Sequence, residues 1–292
     1  MTDASGIPSF YELTGLTPRQ KIVDIGARHI RNDPVYAPLL RHGGVVVGFE
    51  PDSAAVAALN TRKNQGDLYL PHAVGDGARH TLHICAARDM SSLFAPNPSV
   101  LEMFHGFPIW GKVVDTQEVD TVRLDDVAET DGATFIEMDV QGAELMILQN
   151  SQDRLKRAYV LHLEVEFLPL YEGQPLFSEI ELFLRERGYR LHRFTPLVSR
   201  VFQPVLIGGD IFAGLSQIIW SDAIFVRDFV DLEALDDEEL LGVAQIMHDC
   251  YSSADLAARL LREYDRRHGG GMVRAYVAGL LARGAEIAAA AA

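Results

Sequence analysis

Cysteine is nearly missing from this 292-residue chain. Cys85 and Cys250 stand far apart without CxxC spacing, which argues against a disulfide framework or a zinc knuckle and fits a reducing cytoplasm. Basic residues are also short, 26 Lys and Arg against 41 Asp and Glu for a formal charge of −15. That balance argues against broad attachment to nucleic acid or to an anionic membrane, so neither is expected as a partner. The densest basic stretch, Arg185, Arg187, Arg190, Arg193 and Arg200, is interleaved with Glu179, Glu181 and Glu186, as on a solvated helix face. No run approaches the roughly 20 apolar residues of a membrane span. The segment MTDASGIPSFYELTG lacks a basic region followed by a continuous apolar one, and a soluble cytoplasmic protein is the expectation. Phosphate loops of the forms GxxxxGK[ST] and GxGxxG are missing too, and no repeat suggests a solenoid.

What is present is an ordinary globular composition, 48% hydrophobic and 23% charged, with strand and helix patterns in alternation. KIVDIGA and VVVGFEPD read as buried strands, with YAPLLRHGG a helix between them. SAAVAALNTRKNQG follows as a helix, with Ser53 as N-cap and Gly66 as stop. LYLPHAVGD reads as a third strand, ATFIEMD as the fourth core strand, YVLHLEVEF as the fifth, YRLHRF as the sixth and QIIWSDAIFVRD as the last. Between the third and fourth, TLHICAA through SSLFAPNPSVLEMFHGFPIWGK reads as irregular, and DTQEVDTVRLDDV as a short strand. GAELMILQNSQDRL and LFSEIELFLRERG supply further helices. This order predicts an α/β fold with a mostly parallel, Rossmann-like sheet joined by right-handed crossovers. From about residue 231 the composition turns helical, which divides the chain into a domain over 1–230 and a helical appendage over 231–292. Its apolar stripe, with Leu240, Leu241, Val243, Ile246, Leu256, Leu260 and Leu261, either covers the domain or forms a homodimer interface.

In open parallel sheets ligands gather beyond the carboxyl ends of the strands. Carboxylates fall there: Asp24 in the first strand, Glu50 after the second, Asp76 after the third, Asp139 after the fourth and Glu164 in the fifth. A carboxylate after the second strand suits two neighbouring ribose hydroxyls, and Glu50 takes that role. Asp24 serves either a ligand or a turn.

The motifs VDIGA, GFEPD, HAVGD, SSLF, FIEMDVQGAELMIL and HLEVEFLPLYEGQPLF, in this order, resemble the FkbM-type methyltransferases, class I enzymes that use S-adenosylmethionine. The resemblance spans roughly residues 20–195 and implies a seven-stranded Rossmann-like sheet. It also implies that Asp24, Gly26 and Ala27 border the methionine part of the cofactor, that Glu50 holds the ribose with Asp52 nearby, and that Val74 to Asp76 lie along the adenine. Two departures stand out. Arg28, His29 and Ile30 replace the family's usual Asn and Gly, and Arg28 there either pairs with the ligand carboxylate or marks altered binding. Lys-Met-Asp-Val-Glu-Gly becomes Glu137-Met138-Asp139-Val140-Gln141-Gly142.

Methyl transfer to a hydroxyl needs alignment and a proton acceptor. Asp139 and Glu164 are the candidate base and partner, or the holders of a divalent cation, with Asp139 also a candidate cofactor contact, and His162, on one strand face with Glu164, is the next candidate base. Phe94, Phe104, Phe107, Trp110, Phe167 and Tyr171 offer flat surface to an acceptor, at most half of them in contact with it. The expected activity is O-methylation of a small-molecule or glycan acceptor, a saccharide or natural product. The alternatives are a catalytically silent nucleoside-binding or partner-binding protein on the same fold and a nicotinamide-dependent oxidoreductase, the latter at odds with the missing GxGxxG.

Overall fold

The computed structural model describes residues 7–27 and 33–290. A seven-stranded sheet is built from β1 (Lys21–Ile25), β2 (Val45–Phe49), β3 (Leu68–Leu70), β7 (Phe135–Met138), β8 (Val160–Glu166), β9 (Tyr189–Arg200) and β10 (Gln217–Arg227). A smaller sheet holds β4 (Ala73–Val74), β5 (Arg79–Cys85) and β6 (Val113–Val122). The large sheet runs β3-β2-β1-β7-β8-β10-β9. It is parallel from β3 to β8, and β10 lies antiparallel to both its neighbours. Strand order therefore reverses between β1 and β7, where a crevice opens beyond the strand ends. This is the Rossmann-like α/β fold expected from the sequence.

Two apolar layers sandwich the sheet. On one face Val23, Ile25, Ile136, Met138, Leu161 and Leu163 pack with the helices Glu144–Gln149 and Phe177–Arg185. On the other, Ile22, Val46, Phe135, Val160, Ile224 and Val226 meet Leu240, Val243, Ile246, Leu256, Leu260 and Leu261. These last six belong to helices Asp237–Tyr251 and Ala254–His268, so the C-terminal apolar stripe is buried against the sheet. Gly242 lets the first of these helices close in, since a Cβ there would stand 2.5 Å from the Tyr159 ring.

Several local expectations are corrected. The helix Ser53–Arg62 is capped by Asp52, not Ser53, because the Asp52 carboxylate accepts from the Ala54 and Ala55 N–H groups. It ends at Lys63, short of Gly66. LYLPHAVGD divides between two sheets at Pro71, which has no N–H for a ladder. TLHICAA is not irregular but lies largely within β5. Its partner β6 is exposed along most of its length, so neither strand carries the alternation that marks a half-buried sheet. GAELMILQNSQDRL forms two helices, Glu144–Gln149 and Gln152–Leu155, and the Ser151 hydroxyl between them donates back to the Ile147 carbonyl. Among the described residues no helix is long and apolar enough to cross a membrane.

Candidate active site

The period of two in a strand puts every second residue on one face. On the face covered by the C-terminal helices, one row across the sheet is Val46, Ile22, Phe135, Val160 and Val226. Two residues further toward the strand ends, the row reads Gly48, Asp24, Glu137, His162 and Ile224. Beyond it Glu164 faces Asp222 and Glu166 faces Trp220 across the β8–β10 ladder. Above these polar rows lies a cavity of about 1150 Å³.

Asp139, Glu164 and His162 all line this cavity, as do Gly26, Glu50, Asp52 and Val74. Gly26 has φ +92°, and a Cβ there would sit 2.3 Å from the Asp139 carbonyl oxygen. Its lack of a side chain thus serves the approach of β1 and β7 to one another as well as any ligand. Glu50 accepts from the Asp52 N–H at 2.8 Å. Three expected cofactor residues lie off the cavity wall. Asp24 is fully buried in β1 and accepts from the Tyr36 hydroxyl. Ala27 is buried, and Asp76 closes a turn by accepting from the Ala78 N–H while facing His80. Arg28, with His29 and Ile30, lies outside the described residues. Of the six aromatics, Phe107 and Trp110 line the cavity. Tyr171 is buried and holds Gln141 with its hydroxyl.

Gln141 explains one departure from the familiar motif. Its Nε2 donates to Asp139 Oδ1 at 2.7 Å and to Glu164 Oε2, so an amide stands between two carboxylates where an acid would add a third charge. Ser92 donates to the Gln141 carbonyl at 2.7 Å, and the Tyr171 hydroxyl reaches Gln141 Oε1 at 2.9 Å. These contacts secure Gln141 at φ +56°, an uncommon conformation for a residue with a side chain.

The acids perturb one another. Burial, with the charges of Asp139 and Glu166, drives Glu164 well above the usual carboxylate range. Burial beside Asp24 does the same to Glu137. Glu166 is pushed by burial up to about 7. Asp139 is raised by burial and by the charge of Asp222 and held back by the hydrogen bond from Gln141, although solvent still reaches it through the cavity. Burial and mutual repulsion thus favour a single proton shared by the Glu164–Asp139 pair. His162 has both ring nitrogens engaged, Nδ1 with the Tyr251 hydroxyl at 2.9 Å and Nε2 with Asp222 Oδ2 at 3.4 Å. Among the described residues no group of three or more His, Cys, Asp or Glu is arranged to hold a metal ion.

Sequence reasoning missed Glu166, Trp220 and Asp222 as cavity residues. The β8 alternation His162, Glu164, Glu166 was there to be followed one step further. The β10 pair is visible only once that strand is known to lie beside β8.

The methyltransferase FkbM domain model matches residues 24–191. No curated protein matches. Solved structures that align include LepI in complex with SAM, at 12% identity and TM-score 0.30, covering 72% of this chain and 43% of that one. A pericyclic reaction enzyme aligns at 11% identity and TM-score 0.31, covering 78% and 49%. M. jannaschii TYW2 in complex with AdoMet aligns at 12% identity and TM-score 0.30, covering 74% and 72%. The chain thus spans less than half the length of the first two.

Proposed function

The chain belongs to the methyltransferase FkbM domain family, and from that premise we propose that it is an S-adenosylmethionine-dependent O-methyltransferase acting on a hydroxyl of a saccharide or natural-product scaffold. The observation that carries this reading is the charge of a cavity set at the reversal of strand order. Arg88 is the only lysine or arginine in its described lining, against Glu50, Asp139, Glu164, Glu166 and Asp222 among the acids. A sulfonium ligand with a net positive charge fits such walls better than a nucleotide bearing phosphates does.

Bound there, S-adenosylmethionine supplies an electrophilic methyl group for direct displacement. Glu50 accepts from the ribose hydroxyls, while the Asp52 carboxylate remains engaged as a helix cap. Ile25, Phe49 and Val74 give the adenine an apolar wall. Asp139, kept charged by the Gln141 amide, takes the proton of the acceptor hydroxyl. Glu164 holds the pair's resident proton, and His162, held between Tyr251 and Asp222, is a positioning residue.

Calorimetric titration with S-adenosylmethionine and S-adenosylhomocysteine tests the donor site. Saturable binding weakened about ten-fold by Glu50→Ala is expected, the loss of one charge-assisted hydrogen bond pair. Asp139→Asn should retain that binding and lower turnover by about 10²-fold or more once an acceptor is in hand. No binding of either ligand would refute the donor reading and favour a silent binding protein on this fold.

A further inference from the structure

The β8–β10 side of the cavity is separated from Gly26 and Glu50 by the width of β7, and its composition is unusual. Asp139, Glu164, Glu166 and Asp222 line it, and among the described residues no lysine or arginine forms an ion pair with any of the four. Among the described residues the basic group that pairs with one of the four is His162, 3.4 Å from Asp222. Glu166 is 1% exposed, and its Oε2, with the Gln174 side chain as its neighbour, completes no hydrogen bond of ordinary geometry among the described residues. A buried carboxylate oxygen so weakly satisfied carries a desolvation cost that a ligand donor would relieve.

Facing Glu166 in the ladder is Trp220. Phe107 links the rings of this wall, with its centroid 6.2 Å from Trp220 and 5.4 Å from Trp110. All three rings line the cavity. Trp220 already attracts one cation: the Arg200 guanidinium, outside the lining, lies 4.8 Å from its ring centroid. Acid oxygens beside indole faces recognise an ammonium through charge-assisted hydrogen bonds and the ring quadrupole together. A neutral polyol would supply donors but leave the charge uncompensated, and an anion would be repelled.

We propose that the acceptor carries a protonated amine, as in an amino sugar or an aminated macrocycle, its ammonium donating to Glu166 and resting against Trp220 and Trp110. This deepens the methyltransferase reading by naming the acceptor class, and it rests on that reading for the transfer itself. The amine anchors the acceptor and is not the methylated group. Its hydroxyl reacts at Asp139.

The chain has two tryptophans, both in this cavity, so intrinsic fluorescence reports on the site directly. Protonated 2-phenylethylamine and its neutral counterpart 2-phenylethanol are titrated at about pH 8, above the value of about 7 to which burial raises Glu166, with and without saturating S-adenosylhomocysteine. The amine should bind about ten-fold more tightly than the alcohol, and Glu166→Gln should bring the two within about two-fold. Asp222→Asn provides a second variant if Glu166→Gln fails to fold. Equal binding of amine and alcohol to the wild type would overturn the proposal, as would a preference unchanged in the folded variants. Calorimetry with S-adenosylhomocysteine reads the donor site separately, so loss of the donor reading and loss of the amine preference are distinguishable results.

Discussion

One face of the large sheet holds two chemistries a single residue pair apart along each strand. Toward the strand starts, Ile22, Val46, Phe135 and Val160 are apolar and sealed by the C-terminal helices. Toward the strand ends, Asp24, Glu137, His162 and Glu164 project from the same face. The backbone and its ladder are continuous across the border. What changes is the cover, and with it the side chains that the cover can tolerate. Tyr251, at the end of helix Asp237–Tyr251, marks the line: it packs in the apolar cluster while its hydroxyl meets His162. The lesson is that a long amphipathic helix pair determines where an acidic site can begin, because an unpaired carboxylate beneath apolar helices would carry an untenable desolvation cost.

The hardest way to break this comparison is to remove the cover. A chain ending at residue 230 should lose its cooperative thermal transition and collect in the insoluble fraction, since a whole sheet face would be exposed. A soluble product with a sharp transition would show that the helices are dispensable. Phe135→Ala keeps the cover and opens a hole beneath it, because Phe135 is fully buried. Urea unfolding should register a loss of about 3–5 kcal/mol.

On the acidic half the effect depends on pH. Glu166 has a folded value raised from 4.5 to about 7, so the native state binds more protons than the unfolded chain across that window. Its contribution to stability is full below the unfolded value and is lost as pH rises through the folded one. Glu166→Gln should therefore gain thermal stability relative to wild type as pH increases from about 5 to 8, and a constant difference across that range would contradict the assignment. The smallest expected effect is at Gln141→Glu. It replaces the amide between Asp139 and Glu164 with a third acid, so its melting temperature should fall below wild type by more at high pH than at low pH.

Much of the fold was legible because buried strands announce themselves. VVVGF and FIEM read as strands from their β-branched and apolar content, and they form β2 and β7. β5 was obscured because its part-buried residues show no alternation, whereas β6 was read as a short strand and runs longer, over Val113–Val122. At the cavity wall, Asp139 and Glu164 were anticipated from their places toward strand ends and His162 from sharing a strand face with Glu164. Asp76 was misplaced by the same rule, since β4 belongs to the second sheet and Asp76 closes a turn there. Trp220 and Asp222 escaped because their strand runs against its neighbours, bringing its first half, not its last, to the cavity.

The sequence by itself determined the local order of elements, the strand faces and the presence of acids at strand ends, because side-chain periodicity and turn chemistry are properties of adjacent residues. Only the tertiary structure decided that the C-terminal stripe lies on the sheet, that Gln141 separates Asp139 from Glu164, and that Glu166 stands opposite Trp220. These depend on strand order and ladder register, which are set by packing among segments that lie far apart in the chain.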